Sequence, residues 1–392
     1  MAPGPAPATH AAEPARSMEL ARLVREEIAR SGGAIPFSRF MERALYEPGL
    51  GYYEHAAIGR AGDFSTSVST GPLFGELLAR HACKAWTRHG LVDRPGLLPW
   101  IEAGAHDGQL ALDFLSALQG LRPDLVPRVR YVLVEPSATR RAWQEAKLRK
   151  FGGSVEWAAS IPPFDGVLFS NELLDAFPIE RHAWDARGGR WWRMGVTELD
   201  GRLVGCRIGL DPAHASFLGA IPPELLDVLP DGHVVEHSPG AEAWWADAAR
   251  ALGKGCLIAF DYGFDASDRF RPGRSHGTLR GYSGHQLAED VLASPGSIDL
   301  TAHVDFGRIQ QVGEAAGLVT SELDSQHRLL SRWMAEDIAA GDDSGAWTPA
   351  RLRQWQALSH PTHFGHAFKV LVQERPWPAP GSMPWVASQI PA

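Results

Sequence analysis

The sequence predicts an α/β protein built on an open, mostly parallel sheet with helices on both faces. Three observations predict it. From residue 99 onward, short apolar runs alternate with segments of helical periodicity, the rhythm of βαβ units. A turn with glycine at both ends, Gly104-Ala-His-Asp-Gly108, stands where the first of those runs hands over to a helix. An acidic residue, Glu135, ends the next run. Ligands of such sheets sit outside the carboxyl ends of the strands.

Taken in order, residues 1–16 are rich in Ala and Pro and are expected to be a disordered tail. Residues 17–95 form an N-terminal helical and loop segment that completes the active site. Leu20, Leu23, Val24 and Ile28 share one helical face before Ser31-Gly32-Gly33 stops the helix, and a second short helix covers Phe37 to Leu45. Residues 46–64 read as an ordered loop rich in Gly and aromatics, and 72–89 as a helix with Leu73, Leu77, Leu78 and Trp86 inward.

The main domain is expected over 96–377. It opens with a strand at 99–104 and a helix whose buried face carries Leu110, Phe114 and Leu118. Strand 130–135, helix 137–150, and strands 154–157 and 166–170 follow. Turn signals at Gly188-Gly189 and Asp200-Gly201 mark a β-rich insertion after the fourth strand, 178–235. A helix at 241–252 and strand 256–261 resume the pattern, a second, loop-rich insertion covers 262–306, and helices near 310–316, 330–340 and 349–358 precede a last strand at 367–373. Residues 378–392 are expected to be a C-terminal tail.

Composition narrows the function classes. With 38 basic and 46 acidic side chains the net charge is −8, which disfavours global attraction to nucleic acid or an anionic membrane. No apolar run reaches the roughly 18 residues of a membrane span. Cys83, Cys206 and Cys256 are scattered and form no Cys-x-x-Cys pair, so no disulfide framework or thiolate zinc site is expected, and a reducing, cytoplasmic compartment of a bacterium fits better than a mitochondrial one. His360, His363 and His366 lie three apart, but Pro361 and Gly365 interrupt them, and no metal is expected.

The chemistry concentrates at three strand ends. The turn beginning at Gly104 lets backbone approach a ligand closely, and the helix behind it offers free N–H groups. Glu135 is placed to accept hydrogen bonds from both ribose hydroxyls of a nucleoside. Nicotinamide dinucleotides and S-adenosylmethionine both use such a pair. The missing Gly-x-Gly-x-x-Gly fingerprint and the acidic Glu102, suited to a sulfonium or ammonium rather than a pyrophosphate, favour the second. The third feature, Asn171-Glu172-Leu-Leu-Asp175-Ala-Phe-Pro178, ends the fourth strand, where it would face a transferring methyl group; Asn171 is the sequence's single asparagine.

These pieces resemble the MidA-like class I methyltransferases, the family that includes a mitochondrial complex I assembly factor with protein arginine methyltransferase activity. The resemblance runs from about residue 18 to 372. Leu45-Tyr-Glu-Pro-Gly-Leu-Gly-Tyr-Tyr53, Gly62-Asp-Phe-Ser-Thr66, Leu73-Phe-Gly-Glu-Leu77, the 102–108 turn, 171–178, Phe260-Asp-Tyr-Gly263, Thr278-Leu-Arg-Gly-Tyr282 and 299–306 carry it. It implies a seven-stranded, Rossmann-like methyltransferase sheet and S-adenosylmethionine as cofactor. It also implies Asp63, Phe64, Glu102, Gly104, His106, Gly108, Glu135 and Asn171 as cofactor-binding residues, with Asp63 closing over the cofactor. The family's turn reads Glu-Leu-Gly-Pro-Gly-Arg-Gly, so His106 and Asp107 depart from it.

Asn171, Glu172 and Asp175 are the candidate catalytic residues. Glu172, seconded by Asp175 or Asp261, is expected to orient an arginine guanidinium, with the Trp-rich run 184–192 as a substrate wall. A protein arginine methyltransferase, a small-molecule methyltransferase and a noncatalytic relative that kept the fold all remain open.

Overall fold

The central strands of one seven-stranded sheet are apolar runs that bury side chains on both faces, which only a sheet covered on two sides allows, and more polar strands close its two edges. The computed structural model describes residues 13–55, 66–284, 286–341, 347–360 and 367–376. The strands are β1 (Leu98–Ala103), β2 (Val129–Val134), β3 (Val155–Ala158), β4 (Phe164–Asn171), β5 (Leu252–Phe264), β6 (Val319–Ser325) and β7 (Phe368–Glu374). Their spatial order is β3-β2-β1-β4-β5-β7-β6, parallel from β3 through β5, with β7 antiparallel to both of its neighbours. The two-residue strand Val304–Asp305 adds to the end of β5.

Alternate residues of each strand feed two cores. Trp100, Phe169, Ile258 and Val370 pack with Trp86 and Phe114 of the helices Leu73–Arg88 and Gln109–Leu121. Ile101, Leu168, Leu257 and Leu371 pack on the other face with Trp245 and Phe306 of the helices Pro239–Ala251 and Phe306–Ala315. Strand order reverses between β1 and β4, so the crevice where an open sheet binds ligands lies at Ala103 and Asn171.

The N-terminal segment and the insertion after β4 share one structure. Ala34–Pro36 pairs antiparallel with Arg190–Leu199, which also pairs with Glu180–Asp185 and Arg202–Ile208, while Val234–His237 closes the other edge. Leu20, Val24, Ile28 and Phe40 bury against Val196, Leu203 and Ile298, forming a third core. Asp200 and Gly201, at φ 50° and 77°, make the tight turn of the second hairpin.

Several elements differ from the sequence expectation. Helix Glu13–Arg30 begins four residues inside the segment expected to be tail, because its first turn carries the acidic Glu13 that favours a helix start. The edge strand β6 has no sequence counterpart, since its half-polar VTSELDS run lacks a sustained alternation. Within 262–306, Arg280–Ser283, Gln286–Leu287 and Asp299–Thr301 form a small sheet rather than loop alone. Among the described residues no helix is long and apolar enough to cross a membrane.

Candidate active site

The turn after β1 is strained and tightly backed. Gly104 and Gly108 take φ 79° and 80°, and a Cβ on Gly104 would lie 3.1 Å from Cδ1 of Leu173 in the loop after β4. His106, where the related turn carries glycine, sits at φ 46°, a left-handed conformation that costs an L-residue roughly 1–2 kcal/mol. Asp107 accepts the Gln109 N–H at 3.0 Å and pairs with Lys147. Burial pushes its carboxyl up, but the His106 and Lys147 contacts outweigh that and hold it well below the usual carboxylate range. Glu102 is buried, accepts the Tyr131 hydroxyl at 2.6 Å, and is pushed up to about 7 by its burial.

At the end of β2, each oxygen of the buried Glu135 carboxylate takes one protein donor. Oε1 accepts the Ser137 N–H at 2.9 Å and Oε2 accepts Nε2 of Gln144 at 3.1 Å. Ser137 also caps the helix Ala138–Leu148.

After β4 the chain turns through Glu172, another non-glycine residue at positive φ, 52°. Oδ2 of Asp261 holds that turn open by accepting the N–H groups of Leu173, Leu174 and Asp175 at 3.1, 2.7 and 3.3 Å. Asp261 is therefore a scaffold for the loop and not a second guanidinium ligand. Glu172 Oε1 accepts Nδ2 of Asn171 at 2.8 Å and the Ser67 N–H at 3.2 Å, while burial pushes its carboxyl up to about 8. Asn171 Oδ1 is buried without a hydrogen-bond partner. Burial, then the charges of Asp261 and Asp299, raises Asp175 well above the ordinary range. Asp299 Oδ1 accepts the Tyr53 hydroxyl at 3.0 Å.

Two cavities meet here, sharing Tyr53, Gly104, His106 and Glu172. The larger, about 1060 Å³, runs past Glu135, Pro136 and Ala159–Ile161 at the ends of β2 and β3 toward Phe177 and Trp244. The smaller, about 370 Å³, is lined by the six carboxylates of Glu102, Asp107, Asp113, Glu172, Asp175 and Asp299, with no lysine or arginine among its described lining residues. Such a lining suits a cationic occupant.

The structure thus brings together Glu102, Gly104, His106, Glu135, Asn171, Glu172 and Asp175. Gly108 does not line either cavity. It starts the helix Gln109–Leu121, and its Cα faces Gln144, whose Cγ would be 3.4 Å from an added Cβ. The Trp-rich run is not a site wall either: Trp184 and Trp191 pack on each other, 5.0 Å apart, because strand alternation turns them into the insertion. Asp63, Phe64, His363 and His366 lie outside the described residues. Among the described residues no three metal-ligating side chains cluster. Sequence reasoning gave no role to Asp299, Tyr53, Asp113 or Gln144; the first two did stand in the stretches 299–306 and 45–53 that carry the family resemblance.

A parallel sheet reversing between β1 and β4, an antiparallel β7 wedged beside β5, a strand-end carboxylate and an acidic crevice together define a class I methyltransferase. The chain belongs to a family of S-adenosyl-L-methionine-dependent methyltransferases, whose family model matches residues 77–323. It is similar over 95% of both chains, at 32% identity and a TM-score of 0.80, to a superfamily member from Burkholderia thailandensis whose crystal structure holds S-adenosyl-homocysteine. It is 28% identical to the mitochondrial protein arginine methyltransferase NDUFAF7 of Mus musculus, covering 93% of this chain and 87% of that one. The Caenorhabditis elegans homologue is 29% identical, covering 76% and 72%. S-adenosylmethionine is therefore the cofactor, and methyl transfer the reaction class.

Proposed function

We propose that the protein methylates an arginine side chain of a protein substrate. The observation that carries this reading is the approach of three carboxylates, Glu172, Asp175 and Asp299, to one small cavity with no lysine or arginine among its described lining residues. A guanidinium is a planar cation with five donors, so several acceptors are needed to hold it with one nitrogen aimed at the methyl group. Relatives named as protein arginine methyltransferases support the same reading.

The residues fit the cofactor. Glu135 keeps a free lone pair on each oxygen for the ribose hydroxyls, and the unpaired Asn171 Oδ1 can accept from an ammonium or guanidinium N–H. Glu102, Gly104 and His106 would take the methionine end. The bound cofactor supplies a methyl group activated by a sulfonium. The protein's part is then orientation and electrostatics. Glu172 uses only Oε1 for its two protein donors and leaves Oε2 for the guanidinium. Its raised pKa also lets it hold the proton that the methylated nitrogen gives up.

The test is incubation with methyl-labelled cofactor and arginine-rich proteins, followed by mass spectrometry. Label on arginine supports the proposal. Label confined to small molecules, or no transfer by a chain that binds S-adenosylhomocysteine, overturns it.

A further inference from the structure

We propose that Gln144 is a positioning residue for the nucleoside half of the site: one buried amide that sets the direction of the Glu135 carboxylate and ties it to the strained turn at His106. The proposal rests on Glu135 being the ribose ligand.

Gln144 lies on the helix Ala138–Leu148 with no exposed surface. Its Nε2 donates to the His106 carbonyl at 2.8 Å and to Glu135 Oε2 at 3.1 Å, and its Oε1 accepts Nε1 of Trp157 at 2.9 Å. The amide has only one workable orientation. A carbonyl and a carboxylate only accept and an indole N–H only donates, so a flipped amide would lose all three bonds. The partners follow β1, follow β2 and lie on β3, the three strand ends beside the larger cavity. One side chain thereby couples the turn, the ribose carboxylate and the far wall.

The effect on Glu135 is directional. With Ser137 N–H on one oxygen and Gln144 Nε2 on the other, the carboxylate plane is held from two sides. Without the amide, one donor remains and the group can turn about its last bond, spending binding energy on its own ordering. No charge is added or removed near the cavity. A loss on substituting Gln144 therefore reports orientation.

The experiment is a binding cycle by calorimetry with S-adenosylhomocysteine and its 2′-deoxy analogue, on the full chain, Gln144→Met, Glu135→Ala and the double variant. Gln144→Met keeps the length and apolar bulk but makes none of the three bonds. Each single substitution should weaken S-adenosylhomocysteine by about 10- to 100-fold, the loss of a hydrogen bond involving a charged group. The double variant should bind within about threefold of Glu135→Ala alone, because the two act through one carboxylate. Gln144→Met should also discriminate less between the ribose and 2′-deoxyribose ligands, whereas general loosening of the fold would weaken both alike.

Multiplying losses in the double variant, or preserved discrimination in Gln144→Met, would overturn the proposal. Wild-type affinity in Glu135→Ala would sink the ribose assignment, and this inference with it; a weakened Glu135→Ala beside an unchanged Gln144→Met would sink this inference alone. If Gln144→Met does not fold, Gln144→Leu takes its place, since it is likewise uncharged and makes none of the three bonds. The same loss of discrimination is then expected, and its absence refutes the proposal.

Discussion

Glu172→Gln removes from the acidic cavity a carboxyl that can ionise against a cation, while changing little else. In the native chain Oε1 accepts from Asn171 Nδ2 at 2.8 Å and from the Ser67 N–H at 3.2 Å, and a glutamine oxygen can accept both. The left-handed backbone at φ 52° is neither better nor worse for glutamine. What disappears is the carboxylate that orients a cationic acceptor. Loss of one positioned electrostatic group typically costs about 2.7–4 kcal/mol, or 10²- to 10³-fold in turnover. Asp175 and Asp299 remain beside the same cavity, so the low end, about 10²-fold, is expected.

The assay compares turnover of an arginine-containing protein with S-adenosylhomocysteine affinity in the same variant, and the affinity should stay within about threefold. A pH profile adds a second check. Because burial pushes Glu172 up to about 8, the carboxylate form grows as pH rises toward 8, and kcat/KM of the native enzyme should climb over that range. The climb should be absent from the glutamine variant. Full turnover with an unchanged pH profile would refute the guanidinium-orienting role and favour a neutral, small-molecule acceptor.

Asp299→Asn should lower turnover by a similar factor of about 10², whereas Tyr53→Phe, which removes only the donor to Asp299, should cost less; equal losses would place the hydroxyl itself in the reaction. His106→Gly should raise unfolding stability in urea by roughly 1 kcal/mol by relieving the φ of 46°, and a fall would mean that the imidazole's contacts with Asp107 and Trp143 outweigh the strain. His182 is fully buried with both ring nitrogens unpaired, and burial lowers it to about 4. Between pH 6.5 and about 4 the unfolded chain binds a proton that the folded chain refuses, so stability should fall as pH drops through that window, by up to about 3 kcal/mol. Glu102, raised to about 7, works in the opposite sense over pH 4.5–7, so the histidine's share is read as the difference between the native chain and His182→Phe; equal acid slopes would refute it. Finally, a cation entering the smaller cavity should force Glu172 and Glu102 to ionise, so binding near pH 7 should release protons, measured as a heat that changes with buffer ionisation enthalpy.

The strands and turns that make the site were legible because their causes are local. Apolar runs within 99–104, 130–135 and 166–170 declare strands by composition, the turn from Gly104 to Gly108 by its glycines, and the chemistry at Glu135 and at Asn171-Glu172 by residue types at strand ends. By itself the sequence thus determined an α/β sheet, its binding edge and most of the side chains around it. Tertiary structure decided which of those side chains are still free to act. Asp261 looked like a ligand, yet three N–H groups some 86 to 88 residues away consume one of its oxygens. Asp299 looked unremarkable, yet it reaches the site beside Tyr53, 246 residues distant. Gln144 reads as one polar residue on a helix until His106, Glu135 and Trp157 are seen to share it. Periodicity and residue type are properties of neighbours along the chain, whereas the spending of each donor and lone pair depends on groups that only the folded chain brings within about 3 Å.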